Sequence, residues 1–213
     1  YDEIAHIPLM IYHPEFASEG GSRRQDLTQT IDLMPTLLDM AGLAIPQDVT
    51  GHSLTALLAG DEGKRQSVIF GYFGGAINVC DGRHSYFRYP CVPGADALHE
   101  YTLMPTRMTE RFAIRDLVGA TLHPSFSFTK GVPLLKLKPK TNDAGEPVEV
   151  QGMNFEDKQS TLYNLETDPG QTTPLDDTEM ETHLSNQIIL NMAKLDAPNE
   201  AYRRFGFQVP GEK

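Results

Sequence analysis

"QTIDLMPTLLDMAGLAIP" (residues 29–46) decides how this chain is read. Asp32 stands where a helix N-cap belongs, since a short carboxylate there accepts N–H groups that the first turn leaves unpaired. Pro35 falls in the first turn, where its missing N–H costs little. Leu33, Leu37, Leu38 and Ala41 recur at helical spacing and predict an apolar stripe. Gly42 suits the left-handed conformation that ends a helix. The spacing therefore predicts a short helix with a buried face. "GHSLTALLAG" (51–60) repeats the device, with Ser53 as cap and Gly60 as stop. On the other side, "IPLMIY" (7–12) is a continuous apolar run and predicts a strand covered on both faces. "RQDLTQTI" (24–31) alternates polar and apolar residues and reads as a second extended stretch.

Beyond residue 60 the pattern changes. "DEGKRQ" (61–66) is a charged hinge, and the expected organisation is residues 1–65 as one unit and 66–213 as another. "SVIFGYF" (67–73) reads as a strand, and "AINVCDGRHSYFRYP" (76–90) as a hairpin. Asp81-Gly82 is its turn signal, because a type I′ turn needs φ > 0 at both central positions. Further strands are expected in "LHEYTLMP" (98–105), "PLLKLKPK" (133–140) and "TLYNLETDPGQ" (161–171), the last running into a Pro-Gly turn. "TNDAGEPVEVQG" (141–152) reads as a surface loop. From 178 to 195 the period becomes helical: Met180, Leu184, Ile188, Met192 and Leu195 share a face with Ile189 beside them. Asp176-Asp177 suits the start of that helix, where negative charge meets the dipole, and Ala197-Pro198 ends it. The expected class is α+β: a small antiparallel sheet of about four strands packed by a long C-terminal helix, preceded by a strand and helix of a different domain.

The chain has 213 residues, 39% hydrophobic and 22% charged, with a formal net charge of −11. Such a surface repels nucleic acid and anionic membranes, so neither is expected as a partner. No apolar run approaches the roughly 18–20 residues of a membrane span. The opening "YDEIAHIPLMIYHP" reads as the interior of a domain, with no initiator Met and no leader, so the true start is expected upstream. No leader fixes the compartment, and a cytoplasmic location is the default reading. The two cysteines, Cys80 and Cys91, have numbers that sum to 171, whereas the hairpin ladder should pair residues summing to about 163. Two free thiols are expected.

Several of these segments, in this order, resemble the C-terminal part of a sulfatase of the alkaline-phosphatase-like superfamily, formylglycine-dependent type. They are "YDEIAHIPLMIYHP", then "QTIDLMPTLLDMAGLAIP" with "GHSLTALLAG", then "NVCDGRHSYFRYP", "LYNLETDPGQ" and "DAPNEAYRRFG". The resemblance implies that the leading residues are the rim of a large α/β catalytic domain and that the remainder is the smaller C-terminal subdomain. It implies a parent that hydrolyses sulfate esters, with carbohydrate sulfates as a substrate class, through a formylglycine and a bound Ca²⁺. Both would be carried upstream, so this chain is expected to hold neither cofactor and to be inactive alone, its partner being the missing N-terminal catalytic domain.

The residues bear on that expectation. Cys91-Val92-Pro93 matches the modification motif at Cys and Pro, but Ala95 stands where Arg is needed, and the stretch reads as a loop. Asp26, Asp32 and Asp39 are isolated acids, and no histidine pair has zinc spacing. His6 and His13 flank one predicted strand, and His84 reads as a solvated strand residue. "KLKPK" (136–140) reads as a solvated face. "ALHEYTLMPTRM" (97–108) gathers His99, Glu100, Tyr101 and Arg107; loops of mixed polar and aromatic residues suit sugar or alcohol recognition. His99 and Arg107 are the expected substrate contacts. Two rivals stand beside the sulfatase reading: a phosphonate or phosphate ester hydrolase of the same superfamily, and a non-catalytic module for oligomerisation or glycan binding. The unpaired edges of a strand taken from a larger sheet also predict that residues 1–60 pair with a second copy, giving a homo-oligomer, or exchange amide hydrogens faster than residues 66–200.

Overall fold

The computed structural model describes residues 5–16, 21–91, 98–106, 110–139 and 159–212. They fold as two compact units interleaved along the chain. One comprises residues 1–70, 78–87 and 161–187, and the other 71–77, 88–160 and 188–213.

The first unit is built on a four-stranded sheet. Its strands are β1 (Val68–Gly71), β2 (Ile77–Cys80), β3 (His84–Arg88) and β7 (Thr161–Asn164), in the order β1-β2-β3-β7. β3 and β7 run antiparallel, with Ser85 opposite Tyr163 and Tyr86 opposite Leu162. Val79, Tyr86 and Leu162 have no exposed surface, and each such burial contributes about 1.5–3 kcal/mol. Edge-to-face contacts of Phe87 with Phe70 and Tyr163, both at 6.0 Å between centroids, add to the packing. Helix α4 (Thr178–Lys194) begins in this unit and ends in the other. Asp177 caps it, its carboxylate accepting from Met180 N–H at 3.0 Å. Ser67 Oγ lies 3.2 Å from Gln187 Oε1 and ties the helix to the residue before β1. The expected helical face holds at its centre, where Leu184, Ile188 and Met192 are buried, whereas Leu195 is exposed. The architecture is α+β, with the four-stranded sheet and long helix expected.

The turn between β2 and β3 differs from expectation. Asp81 N–H donates to His84 O, so the two central residues are Gly82 and Arg83, one place later than Asp81-Gly82. Only Gly82 has positive φ, at +94°, which suits a turn needing glycine at its first central position rather than type I′. The Asp81 carboxylate accepts from the N–H groups of Arg83 and His84, and this side-chain cap moves the turn. The same acid pairs with the ring of His84 at 3.3 Å. His84 is therefore a buried strand residue, and the solvated reading of it is corrected.

Helix α1 (Leu33–Met40) and the short helix α2 (Thr55–Leu58) form where the sequence placed them. Gly42 and Gly60 take positive φ at their ends. The orientation of α1 is the surprise. Pro35 and Thr36 are its buried residues, while Leu33, Met34 and Leu37 are exposed, Leu37 at 67%. The reason is polar: Thr36 Oγ1 donates to Asp32 O and accepts from Leu54 N–H at 2.9 Å, which draws that face inward. "IPLMIY" forms no strand. Residues 7–12 are irregular and exposed, Met10 at 90%, because a strand needs a hydrogen-bonded neighbour and none lies beside it among the described residues. Residues 24–29 likewise join no ladder.

The second unit contains a three-stranded antiparallel sheet that the sequence reading did not foresee as a separate layer. Its strands are β4 (Glu100–Thr102), β6 (Leu134–Leu137) and β5 (Thr121–His123), with β6 central. Helix α3 (Ile114–Leu117) precedes β5, and α5 (Asn199–Arg204) follows α4. Tyr202, Phe205 and Val209 are buried in this unit with Leu134 and Leu137. Arg204, also buried, donates to Gly74 O at 2.7 Å. Cys80 and Cys91 are both free thiols, the first buried and the second exposed. The loop expected at 141–152 lies outside the described residues.

Candidate functional site

A cluster of ionisable and aromatic side chains lies in the second unit. β4 presents Tyr101 and β6 presents Lys136 directly opposite it in the ladder. Glu200, in the first turn of α5, reaches both. Tyr101 donates its hydroxyl hydrogen to Glu200 Oε1, and Lys136 Nζ lies 3.3 Å from the same oxygen. His99, immediately before β4, places Nδ1 3.3 Å from Oε1 as well. Lys136 also sits over the Tyr101 ring at 5.4 Å. From β5, His123 packs edge-on to Tyr101 at 4.9 Å, and Phe126 does so at 5.4 Å.

The charges follow from this geometry. Burial pushes the Glu200 carboxyl up, but the Tyr101 hydrogen bond and the Lys136 cation outweigh it and hold it below the usual carboxylate range. Burial, then the bond to Glu200, raises the Tyr101 hydroxyl far above the ordinary phenol value. Glu200 is thus an anion and Tyr101 a committed donor. A carboxylate so engaged is suited to orienting its donors, not to abstracting a proton.

His99 is the expected site residue that the structure places in this cluster. Arg107 lies outside the described residues. Glu100 and Tyr101 fall on β4, so the expected irregular recognition loop is in part a strand. Lys136 corrects the solvated-face reading of "KLKPK": it is half-buried and ion-paired to Glu200. Glu200 went unnoticed in the sequence, and its signal was slight, an acid two residues after Pro198 at a helix start.

A second constellation, in the first unit, surrounds a cavity of about 40 Å³ lined by Leu27, Asp32, His52, Leu57, Lys64 and Arg65, among others. Asp32 is the N-cap residue of α1 but gives the helix no side-chain cap bond. Its carboxylate accepts from Gln29 N–H at 2.7 Å and His52 N–H at 2.8 Å and pairs with Arg65. Arg65 further donates to Gln29 Oε1 at 2.6 Å. With these groups engaged on one another, the arrangement is a brace between segments 29–32, 51–52 and 65.

No group of three or more His, Cys, Asp or Glu side chains among the described residues is placed to hold a metal ion. Cys91 does not fit a formylglycine precursor: its thiol donates to Phe205 O at 3.3 Å and lies 3.3 Å from Arg88 Nη2, and the motif arginine is absent from the sequence. No helix among the described residues is long and apolar enough to cross a membrane.

Residues 1–87 match the family model described as N-sulphoglucosamine sulphohydrolase, C-terminal. That match covers less than half of the chain. Arylsulfatase K of Xenopus laevis is 37% identical over 67 residues, 32% of this chain and 12% of that protein. Delta 4,5-hexuronate-2-O-sulfatase of Bacteroides thetaiotaomicron is 33% identical over 95 residues, 44% of this chain and 18% of its own. N-acetylglucosamine-6-O-sulfatase of the same organism is 39% identical over 64 residues, 30% of this chain and 11% of its own. The matches to these curated sulfatases thus span less than a fifth of their lengths. A solved chain from the same organism aligns over 90% of this chain and 30% of its own with a TM-score of 0.42 and 18% identity, too loose a likeness to bear on the fold.

Proposed function

We propose that this chain forms the C-terminal part of a sulfate ester hydrolase acting on carbohydrate sulfates. The observation that carries the reading is the match of residues 1–87 to a sulphohydrolase C-terminal model. Relatives named as a hexuronate-2-O-sulfatase and an N-acetylglucosamine-6-O-sulfatase favour sulfated sugars as the substrate class. On this reading the formylglycine and Ca²⁺ belong to a catalytic domain outside these 213 residues, and the chain alone does not turn over sulfate esters. Its partner is that domain. The exposed apolar side chains of Ile7, Met10, Tyr12, Leu33, Leu37 and Leu43 are what such a domain would cover, since exposed apolar patches mark interfaces. His99, and Arg107 a few residues on, contribute to the substrate mouth.

The test is sulfate release by the product of the intact reading frame. Sulfated uronate and glucosamine substrates are set against phosphate and phosphonate monoesters, with residues 1–213 alone as a parallel sample. Sulfate release by the whole product and none by residues 1–213 is expected. Preference for the phosphorus esters, or turnover by residues 1–213, overturns the reading.

A further inference from the structure

We propose that the turn at residues 72–75 is a sugar-stacking element, in which the rings of Tyr72 and Phe73 meet the C–H face of a carbohydrate. The proposal rests on the reading that carbohydrate sulfates are the substrates. The turn joins β1 to β2. β1 ends at Gly71, two residues short of the expected strand, which frees both rings from the sheet. Gly75 N–H donates to Tyr72 O at 3.0 Å, and Gly74 takes the positive φ, +82°, that a type II turn requires at its third residue. The buried guanidinium of Arg204 donates to Gly74 O at 2.7 Å. Gly75 leaves room for the Tyr72 ring, since a Cβ there would stand 2.3 Å from Tyr72 Cζ. Gly74, Gly75 and Ala76 are buried. The backbone of the turn is thus fixed from within, yet its two large rings face water: Tyr72 is 47% exposed and Phe73 58%.

Exposed aromatics on a fixed backbone suit binding. A ring offers a large, flat contact area for few rotatable bonds, and a turn already held in place has little left to order when a ligand arrives. The exposed area selects the occupant. About half of two aromatic surfaces comes to roughly 200 Å², well short of the ~800 Å² per partner in a stable protein interface. An area of that size matches a sugar. A pyranose presents C–H groups on its faces and hydroxyls at its rim, so one face stacks on a ring while the hydroxyls stay hydrated. The Tyr72 hydroxyl adds a hydrogen-bonding group at the edge of the platform.

The experiment compares wild type, Phe73→Ala, Phe73→Leu, Phe73→Tyr and Tyr72→Ala in the product of the intact reading frame. Sulfate release is measured on sulfated uronate and glucosamine substrates and on an acyclic alkyl sulfate, which carries the ester but no ring. Phe73→Ala is expected to raise KM on the sugars about tenfold with kcat unchanged, and to leave KM on the alkyl sulfate as it was. Tyr72→Ala should act in the same direction. Phe73→Leu keeps apolar bulk without a flat face and should behave as Phe73→Ala, whereas Phe73→Tyr should restore wild-type values. Saturation-transfer NMR with unsulfated uronate and glucosamine gives a readout independent of turnover. Transfer to the sugar C–H protons is expected in wild type and is lost in Phe73→Ala. An unchanged sugar KM in both Phe73→Ala and Tyr72→Ala overturns the stacking role and leaves the sulfatase reading standing. An equal rise on the alkyl sulfate marks a structural effect and also overturns it. If wild type prefers phosphorus esters, the sulfatase reading falls and the NMR decides alone. Transfer lost in Phe73→Ala then supports the element; transfer absent from wild type, or kept in the variant, refutes it.

Discussion

Replacing Asp32 with Ala would remove the acceptor of two backbone N–H groups and one guanidinium at a site that is only 1% exposed. The magnitude follows from what is left behind. Breaking a buried pair by deleting one partner costs about 3–5 kcal/mol, because the surviving charge stays buried without its counter-ion. Arg65 is less buried than Asp32, its side chain 12% exposed, and it keeps its bond to Gln29, so the lower end of that range applies to the pair. The N–H groups of Gln29 and His52 each lose an acceptor, at about 1 kcal/mol apiece where solvent reaches them. Since the terms share one carboxylate they do not add in full, and a total of about 4 kcal/mol is expected. The chain has no Trp, so unfolding in urea is followed by far-UV circular dichroism, with hydrogen exchange of peptides covering 27–33 and 50–66 as a local readout. Faster exchange in those peptides should accompany the loss. Asp32→Asn, which keeps one carbonyl oxygen, should fall between wild type and Ala. A cost below about 1 kcal/mol for Asp32→Ala would mean that the three segments are held by something other than this carboxylate, and the reasoning would fail.

Other outcomes are equally specific. Gly51→Ala would set a Cβ 2.1 Å from Ile31 O, a clash with backbone that no rotamer relieves, so a loss of about 3 kcal/mol is expected in the same urea assay. Leu162→Ala empties a fully buried position on β7 and should cost about 3–4 kcal/mol. One thiol, Cys91, should react with Ellman's reagent in the native chain and two after unfolding, since Cys80 is buried. For Asp81, burial raises the carboxyl, but bonds from the His84 and Arg83 N–H groups prevail and the net shift is downward. Its folded value lies below its unfolded one, so its contribution is present above about pH 4 and is lost as pH falls through the folded value. Urea midpoints of wild type and Asp81→Asn should therefore differ at pH 7 and converge in acid.

The second half of the fold was legible because its signals are local and redundant. Helix α4 advertises itself through Leu184, Ile188 and Met192 at helical spacing, with Asp177 at its start. β7 is followed by a turn in which Asp168 binds the N–H groups of Thr172 and Thr173. β6 is a short apolar run whose ends, Leu134 and Leu137, are buried on opposite faces while Leu135 and Lys136 between them are half-covered. Residues 7–45 were misread in one respect. Apolar periodicity reports which side chains favour burial, but it does not say against what. In α1 the stripe of Leu33 and Leu37 is present in the sequence and exposed in the structure, because polar bonds of Thr36 and Asp32 set the helix's inner face. The periodicity and the hydrogen bonds point to opposite sides, and within this chain the hydrogen bonds prevail.

The same conflict explains why the candidate site was only half visible. His99 and Tyr101 drew notice as unlike neighbours in one short stretch, but their shared partner comes from residue 200, about a hundred positions later. A single acid in a charged tail has no periodicity and no motif. What makes Glu200 consequential is that two strands and a helix start converge on one oxygen, a property of topology and not of spacing. The surface of α1 and the Glu200 cluster differ in kind. In the cluster, Glu200 meets Lys136, and the Tyr101 ring meets His123 and Phe126. Along α1 the Asp32 and Thr36 side chains are bonded inward, while Leu33, Met34 and Leu37 are exposed. On the proposed reading the catalytic domain covers Leu37, Met34 and Met10, for which water is the costlier neighbour.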